Sequence, residues 1–387
     1  MKKKGEFRTL CVHEGNLKDL KYKGSVSPLY MSTSYAFYEE GHNRYPRYFN
    51  TPNQIGLGKK LAALEGAELG LIFGSGMAAI STALLSHLKQ GDHIIIQNDL
   101  YGGTRHFIKE TFPKYNISYT FTDGLTVGNV EKLIQENTKG IYLESPSNPL
   151  LKIIDLSAMS KLAKGKKLWT MIDNTFASPV NQNPVEFGID VVIHSGTKYL
   201  GGHSDILAGA IVTSNEHMKK IIRTAKNLGG SLSDSTVWLL ERSMKTLFIR
   251  VAAQNQNAQK LADHLEKHEL ISKVNYPGLM SHPQHELAIK QMKGFGGMLS
   301  FELMPNVNTS DFFKNLKLIK PSMSLAGVES TLLSPRLTSH ASLTETERKQ
   351  QGITEQLIRF SVGIEDVEDL KNDLNQALIN TEKNNKL

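Results

Sequence analysis

Cysteine is all but absent from this chain: Cys11 is the only one in 387 residues. A lone thiol excludes an intramolecular disulfide framework and a C-x-x-C redox pair, and a reducing cytoplasmic setting is expected. Long apolar runs are missing too. No stretch reaches the roughly 18 apolar residues that a membrane span requires. The basic start Lys2-Lys3-Lys4 leads into Thr9-Leu10-Cys11-Val12-His13-Glu14 rather than the apolar core of an export signal. There is no Gly-x-Ser-x-Gly elbow to present a hydrolase nucleophile. His282-Pro283-Gln284-His285 offers two imidazoles without the further Cys or acidic spacing that a zinc set needs, so it reads as structural and no metal is expected. Lys and Arg number 45 against 38 Asp and Glu, a formal charge of +7, but they are dispersed along the chain. A nucleic-acid footprint needs them clustered on one face, so no nucleic-acid partner is expected; the surplus can instead draw in anionic substrates.

What is present is an ordinary globular composition, 40% hydrophobic and 21% charged. The length exceeds what one growing core accommodates, so a large domain and a smaller one are expected. From Leu69 to about Val212 short apolar runs alternate with longer amphipathic ones. The short runs are Leu71-Ile72-Phe73, His93-Ile94-Ile95-Ile96, Ile117 to Phe121, Gly140 to Leu143, Leu168 to Ile172 and Val191-Val192-Ile193. That alternation is the mark of βαβ units: an α/β fold with a mostly parallel central sheet and helices on both faces. Ligands then gather beyond the carboxyl ends of the strands. Residues 1–54, rich in Gly, Tyr, Asn and Pro, read as an arm reaching a neighbouring subunit. Residues 55–245 read as a large cofactor-binding α/β domain. Residues 246–387 form a small C-terminal α/β domain, with a strand at Gly296 to Leu303 and an amphipathic stretch from Val367 to Leu378. Long helical character runs from Ser233 to Leu265, and the Thr381 to Leu387 end is expected to fray.

The chemistry-bearing residues fall at the predicted strand ends. Val191-Val192-Ile193-His194-Ser195-Gly196-Thr197-Lys198 runs a buried strand into two hydroxyls and a lysine. Partial desolvation there lowers a lysine pKa and frees its amine to form a Schiff base; a solvated loop lysine is the competing reading. Ser195 and Thr197 can aim hydroxyls at a phosphate, and Gly74-Ser75-Gly76-Met77 places free N–H groups at a helix start, where an anion is favoured. Together they are what a pyridoxal 5′-phosphate (PLP) site demands. Asp173 closes the strand Leu168 to Ile172, where it can pair with a pyridinium nitrogen or cap the next turn. Tyr101 can lay its ring on a cofactor face and offer its hydroxyl for proton transfer, or serve as a half-buried aromatic. Asn148, in Glu144-Ser145-Pro146-Ser147-Asn148-Pro149, is free to bond a ring oxygen or a substrate carboxylate. Arg359 lies in an apolar β-prone run and needs an anion: an amino-acid carboxylate, or an ion pair with Glu365 or Asp366.

These residues resemble the PLP-dependent enzymes of Cys/Met metabolism, the trans-sulfuration family of cystathionine γ-synthase, cystathionine γ- and β-lyases and methionine γ-lyase. The resemblance spans nearly the whole chain through Tyr45-Pro46-Arg47, Ser75-Gly76-Met77, Tyr101-Gly102-Gly103-Thr104, Asp173-Asn174-Thr175, Ser195 to Tyr199, Ser324 to Ser330 and Arg359 to Glu365. It implies the aspartate aminotransferase-like PLP-dependent transferase fold (fold type I). It also implies Lys198 as the cofactor's attachment point and proton shuttle, Asp173 on the pyridine nitrogen and Tyr101 stacked on the ring. Gly76, Met77, Ser195 and Thr197 would be the phosphate cradle, and Asn148, Ser324 and Arg359 the groups near the substrate carboxylate. Tyr45 and Arg47 match a pair that reaches the phosphate from a neighbouring subunit, implying dimers that share active sites and a homotetramer built from them. Three departures bear on substrate. The arm carries one residue more between Arg47 and Pro52 than the common pattern; Met323 stands where cystathionine enzymes often have glutamate; and Gly103 stands where methionine γ-lyases usually have cysteine. The expected activity is a carbon–sulfur lyase acting on cystathionine or a related thioether amino acid by β- or γ-elimination. The alternatives are a γ-replacement transferase such as cystathionine γ-synthase or a homoserine-ester sulfhydrylase, and, from another class, a non-catalytic binding scaffold.

Overall fold

A computed structural model describes residues 5–36, 38, 43–124, 126–341 and 343–384, with side chains to 381. The Lys2-Lys3-Lys4 cluster, Gly41-His42 of the arm and residues 385–387 lie outside the described residues; Thr381 to Asn384, expected to fray, instead complete the helix Val367–Asn384, with Thr381 buried and donating to Ala377 O at 2.7 Å. Seven strands form the larger sheet: β1 (Leu69–Phe73), β2 (His93–Gln97), β3 (Ser118–Thr122), β4 (Thr138–Glu144), β5 (Trp169–Asp173), β6 (Val191–Ser195) and β7 (Gly209–Thr213). Their order is β1-β7-β6-β5-β4-β2-β3. The pairs from β3 through β6 are parallel, while β7 runs antiparallel to both of its neighbours. The α/β, mostly parallel architecture is therefore as the alternation of runs predicts. β7 is the strand that alternation did not single out. The segment joining it to β6 carries no helix, and without a crossover helix a returning strand pairs antiparallel.

The side-chain period of two sends alternate strand residues to opposite faces. Ile95, Ile172, Val192 and Val212 join one core with Leu57 and Leu61 of the helix Pro52–Glu65 and Met159 of the helix Leu156–Gly165. Ile94, Ile96, Met171, Val191, Ile193 and Ile211 join the other, with Ile80 of the helix Gly76–His87, Ile108 of the helix Gly102–Thr111 and Ile221 of the helix Asn215–Leu228. Each such fully buried side chain contributes about 1.5–3 kcal/mol. A sheet covered on both faces leaves the strand ends as the place for a ligand.

The smaller sheet contains β8 (Ile271–Asn275), β9 (Met298–Leu303), β10 (Lys320–Pro321), β11 (Thr331–Leu333) and β12 (Leu357–Ser361), in the order β10-β11-β12-β9-β8. Its core takes Leu261 and Leu265 from the helix Leu247–Leu265 and Leu370 and Leu374 from the helix Val367–Asn384. The helical stretch expected over Ser233 to Leu265 is divided at Lys245 and Thr246 into Asp234–Met244 and Leu247–Leu265. Helix Phe7–His13 and a 3-10 turn at Pro46–Tyr48 lie within the expected arm. Among the described residues no helix is long and apolar enough to cross a membrane, and no group of three His, Cys, Asp or Glu is placed to hold a metal ion.

Candidate active site

β5 and β6 end side by side, and their ends face the start of the helix Gly76–His87 and a loop of the smaller sheet across a cavity of about 430 Å³. Ten of the twelve expected site residues line it: Gly76, Met77, Tyr101, Asn148, Asp173, Ser195, Thr197, Lys198, Ser324 and Arg359. Lys198 follows β6 in a turn closed by Lys198 N donating to Ser195 O at 3.2 Å and Gly202 N to Lys198 O at 2.8 Å. Its Nζ donates to Ser324 Oγ at 3.0 Å. Burial, and then the nearby Arg359 guanidinium, lower the Lys198 amine from 10.5 to about 8. Ser324 is held at φ 87° and Ala326 at φ 65°, left-handed conformations that non-glycine residues seldom adopt and that concentrate at functional sites.

Opposite, Ser75 caps the helix by accepting from Ala78 N at 3.0 Å. The Gly76 and Met77 N–H groups of that first turn have no intrahelical acceptor and point out of the positive end of the helix dipole. A side chain at position 76 would crowd Ser195, its Cβ falling 3.0 Å from the serine's, so glycine keeps this corner open. Thr197 Oγ1 donates to Ala208 O at 3.3 Å and accepts from Ala208 N at 3.1 Å. Asp173, buried, accepts from Thr175 N at 3.0 Å, so one oxygen is engaged in the local turn that the capping reading foresaw. Burial raises its carboxyl above the ordinary range against the opposing effect of the Thr175 bonds.

Arg359, on β12, is 4% exposed. It donates from Nη1 to Asn148 Oδ1 and from Nη2 to Ser324 O, both at 3.1 Å. The ion pair with Glu365 weighed from sequence does not form: Glu365 accepts from Ser330 N at 2.6 Å and from Ser330 Oγ at 2.9 Å instead. A buried guanidinium with only neutral oxygens as hydrogen-bond partners retains donors for an incoming carboxylate. Burial lowers it only to about 10, so it stays cationic near neutral pH.

Tyr45 and Arg47 do not reach this cavity within the chain. Arg47 Nη1 donates to Lys226 O at 2.7 Å, and its guanidinium lies 5.0 Å from the Tyr48 ring centroid. Two contributors escaped the sequence reading of individual residues. Glu144, buried at the end of β4, accepts from Tyr101 N at 2.9 Å and Asn148 N at 3.1 Å, fixing both segments. Burial, and then Asp173, push its carboxyl well above the usual range. Thr175 Oγ1 accepts from Ser195 N at 2.8 Å and so ties β5 to β6. Both lie within quoted motifs; only their bonds to backbone N–H groups reveal what they do.

PLP fits this site on four observations: a helix start with free N–H groups beside Ser195, a corner that a Cβ would fill, a buried carboxylate at a strand end, and a lysine amine brought toward neutrality. A model of the Cys/Met metabolism PLP-dependent enzymes matches residues 8–379. The chain is 43% identical over 384 residues to cystathionine gamma-lyase of Bacillus subtilis, covering 98% of this chain and 100% of that one. It is 42% identical over 376 residues to cystathionine beta-lyase of Lactococcus lactis subsp. cremoris, covering 96% and 98%. The crystal structure of cystathionine gamma-lyase from Lactobacillus plantarum complexed with L-serine superposes with a TM-score of 0.94 at 38% identity over 98% of this chain and 100% of that one. A cystathionine gamma synthase from Xanthomonas oryzae gives 0.94 at 35% identity, covering 98% and 99%. On this evidence the chain belongs to the Cys/Met metabolism family of PLP-dependent enzymes.

Proposed function

We propose that this protein is a PLP-dependent carbon–sulfur lyase that cleaves cystathionine or a related thioether amino acid by β- or γ-elimination. The observation that carries the reading is one cavity in which Lys198 Nζ, 3.0 Å from Ser324 Oγ, shares its walls with Asp173 and Arg359. Bound PLP supplies the electron sink that makes the substrate Cα–H acidic. Lys198 would hold its aldehyde, Asp173 its ring nitrogen, Tyr101 its face, and Ser195, Thr197 and the Gly76 and Met77 N–H groups its phosphate. Arg359 takes the substrate carboxylate through parallel N–H bonds, and Asn148, already bonded to it, fixes the plane of the fork. The Lys198 amine, once free, takes the proton from Cα and can return one to the departing sulfur. Ser324 Oγ holds that amine at the substrate side of the cavity. Met323, 67% exposed on the cavity rim, offers the leaving portion an apolar surface rather than a charge.

The arm supports a shared site. Leu20, Tyr22 and Met31 are more than 70% exposed, and such apolar surface is what a second copy covers. We therefore read Tyr45 and Arg47 as phosphate contacts given to a neighbouring subunit in a homo-oligomer, a tetramer of site-sharing dimers by the family resemblance. A reducing, cytoplasmic setting suits the single buried thiol, Cys11. Product analysis after incubation with cystathionine tests the activity. Pyruvate with homocysteine means β-cleavage, and 2-oxobutyrate with cysteine means γ-cleavage. No 2-oxo acid, together with turnover of an O-acyl-homoserine plus a thiol, would replace the lyase reading with γ-replacement.

A further inference from the structure

The three segments that must meet for the proposed chemistry arrive from different parts of the fold: the Lys198 turn from β6, the Ser324 loop, and β12 with Arg359. One helix touches all three. On the helix Leu247–Leu265, Arg250, Gln254 and Asn257 stand at i, i+4 and i+7, which places them on one face. Arg250 Nη1 donates to Tyr199 O at 2.9 Å and Nη2 to Leu200 O at 3.4 Å, the two carbonyls that follow Lys198. Gly202 packs so closely on that guanidinium that a Cβ there would overlap it. Gln254 Nε2 donates to Gly327 O at 2.7 Å, in the loop between β10 and β11 that carries Ser324. Asn257 Nδ2 donates to Glu365 O at 2.8 Å and Gly363 O at 3.2 Å, directly after β12.

The acceptors are all main-chain carbonyls, so each bond fixes a backbone and none competes for a substrate. Arg250 is buried, and its hydrogen-bond partners are neutral: besides the turn carbonyls, Ser243 O at 3.1 Å and Thr246 Oγ1 at 3.1 Å. Burying a cation on neutral partners is costly, and apolar packing would fill the same space without that cost. A fourth tie joins the two sheets at the same place. Tyr199, the residue after Lys198, accepts from Gly297 N at 3.0 Å through its phenol, and Gly297 O accepts from Val362 N at 2.8 Å beside β12.

We propose that the helix Leu247–Leu265 is the aligning element of the site, with Arg250, Gln254 and Asn257 as positioning residues for the segments bearing Lys198, Ser324 and Arg359 respectively. The proposal rests on the lyase reading above and adds a division of labour to it. Arg250 governs the amine that moves the proton, and Asn257 governs the strand that binds the carboxylate. Disturbing the first acts on kcat; disturbing the second acts on KM.

The test uses the PLP-loaded enzyme and cystathionine. Arg250→Lys keeps the charge but loses the fork, and is expected to lower kcat by on the order of tenfold with KM nearly unchanged. Asn257→Leu, at a half-buried position of similar volume, is expected to raise KM by on the order of tenfold with kcat nearly unchanged. Its effect should shrink in an Arg359→Lys background, because both act through one guanidinium. PLP content should match that of the unaltered enzyme in every variant. A fall in thermal stability with both kinetic constants unmoved, or a loss from Asn257→Leu fully additive with Arg359→Lys, overturns the proposal. Should Arg250→Lys fail to fold, Asn257→Leu decides alone. Failure of the unaltered enzyme to cleave any thioether amino acid would defeat the underlying reading instead, and is scored separately.

Discussion

Among the described residues, two lysines have amines lowered from 10.5 to about 8, and only one of these two is placed to use that. Lys60 is sealed, donating to Cys11 O at 2.8 Å and Asn16 Oδ1 at 3.2 Å. Lys198 opens onto the cavity, with Arg359 adding to the effect of burial. Below about 8 the Lys198 amine is protonated and cannot attack an aldehyde; above it the amine is neutral. The rate at which PLP-free protein captures PLP is therefore expected to climb as pH rises through about 8 and then level off, and Arg359→Met should move the midpoint upward. Stopped-flow absorbance reads both; a rate still rising toward 10.5 contradicts the assignment. The same lowering means that the unfolded chain binds more protons between about 8 and 10.5, so stability of the PLP-free protein rises with pH across that window. Gly103 makes a second residue-level prediction. A Cβ there would fall 2.5 Å from Tyr101 Cε1. The ring is 46% exposed and free to swing away, so Gly103→Ala should leave stability within about 0.5 kcal/mol yet cut kcat/KM roughly tenfold. Unchanged kinetics would show that the ring's place does not matter.

Among the elements, the helix Pro52–Glu65 shows how local signals and packing combine. Thr51 and Gln54 close its start in a reciprocal capping box, and Gly66 ends it at φ 74°. It packs on β1 by backbone contact, since a Cβ on Gly58 would lie 2.4 Å from Gly70 O. Gly58→Ala should gain up to about 1 kcal/mol of helix propensity and lose about 1–3 kcal/mol to overpacking, because the obstacle is main chain and cannot turn aside. Calorimetry should record a lower Tm; a higher one would mean that the helix can lift from the sheet without loss. Six strands were legible as short apolar runs: β2 and β6 are buried on both faces and read as continuous Ile or Val, whereas β3 is buried only at Thr122 and shows itself through its β-prone Tyr, Thr and Phe. β7 was harder to read, since Gly209 and Ala210 begin it and no crossover helix announces it. Of the expected residues that line the cavity, Asp173, Ser195, Thr197 and Lys198 were legible because they sit at or just beyond the ends of β5 and β6. Glu144 and Thr175 were not, because their partners are backbone N–H groups that no residue pattern identifies. The competing ion pair of Arg359 with Glu365 could not be set aside from sequence, because what claims that carboxylate is Ser330, thirty-five positions from Glu365.

In the whole molecule, ten site residues converge within one chain while Tyr45 and Arg47 stay outside, the arrangement expected if each site is completed by a second copy. Mixing subunits tests this. Lys198→Ala and Arg47→Ala chains, each weakly active or inactive alone, should after exchange recover about one quarter of the activity, since half of random dimers are mixed and each then holds one intact site. No recovery on mixing would mean that each chain builds its own site and that the arm serves another purpose.

The most direct test of the account is covalent fixation: reduce the PLP-loaded protein with borohydride, digest it, and locate the retained pyridoxyl group by mass spectrometry. The account predicts one label per chain, on Lys198. A label on Lys60 or any other lysine, or no fixed label on a fully loaded protein, would contradict it.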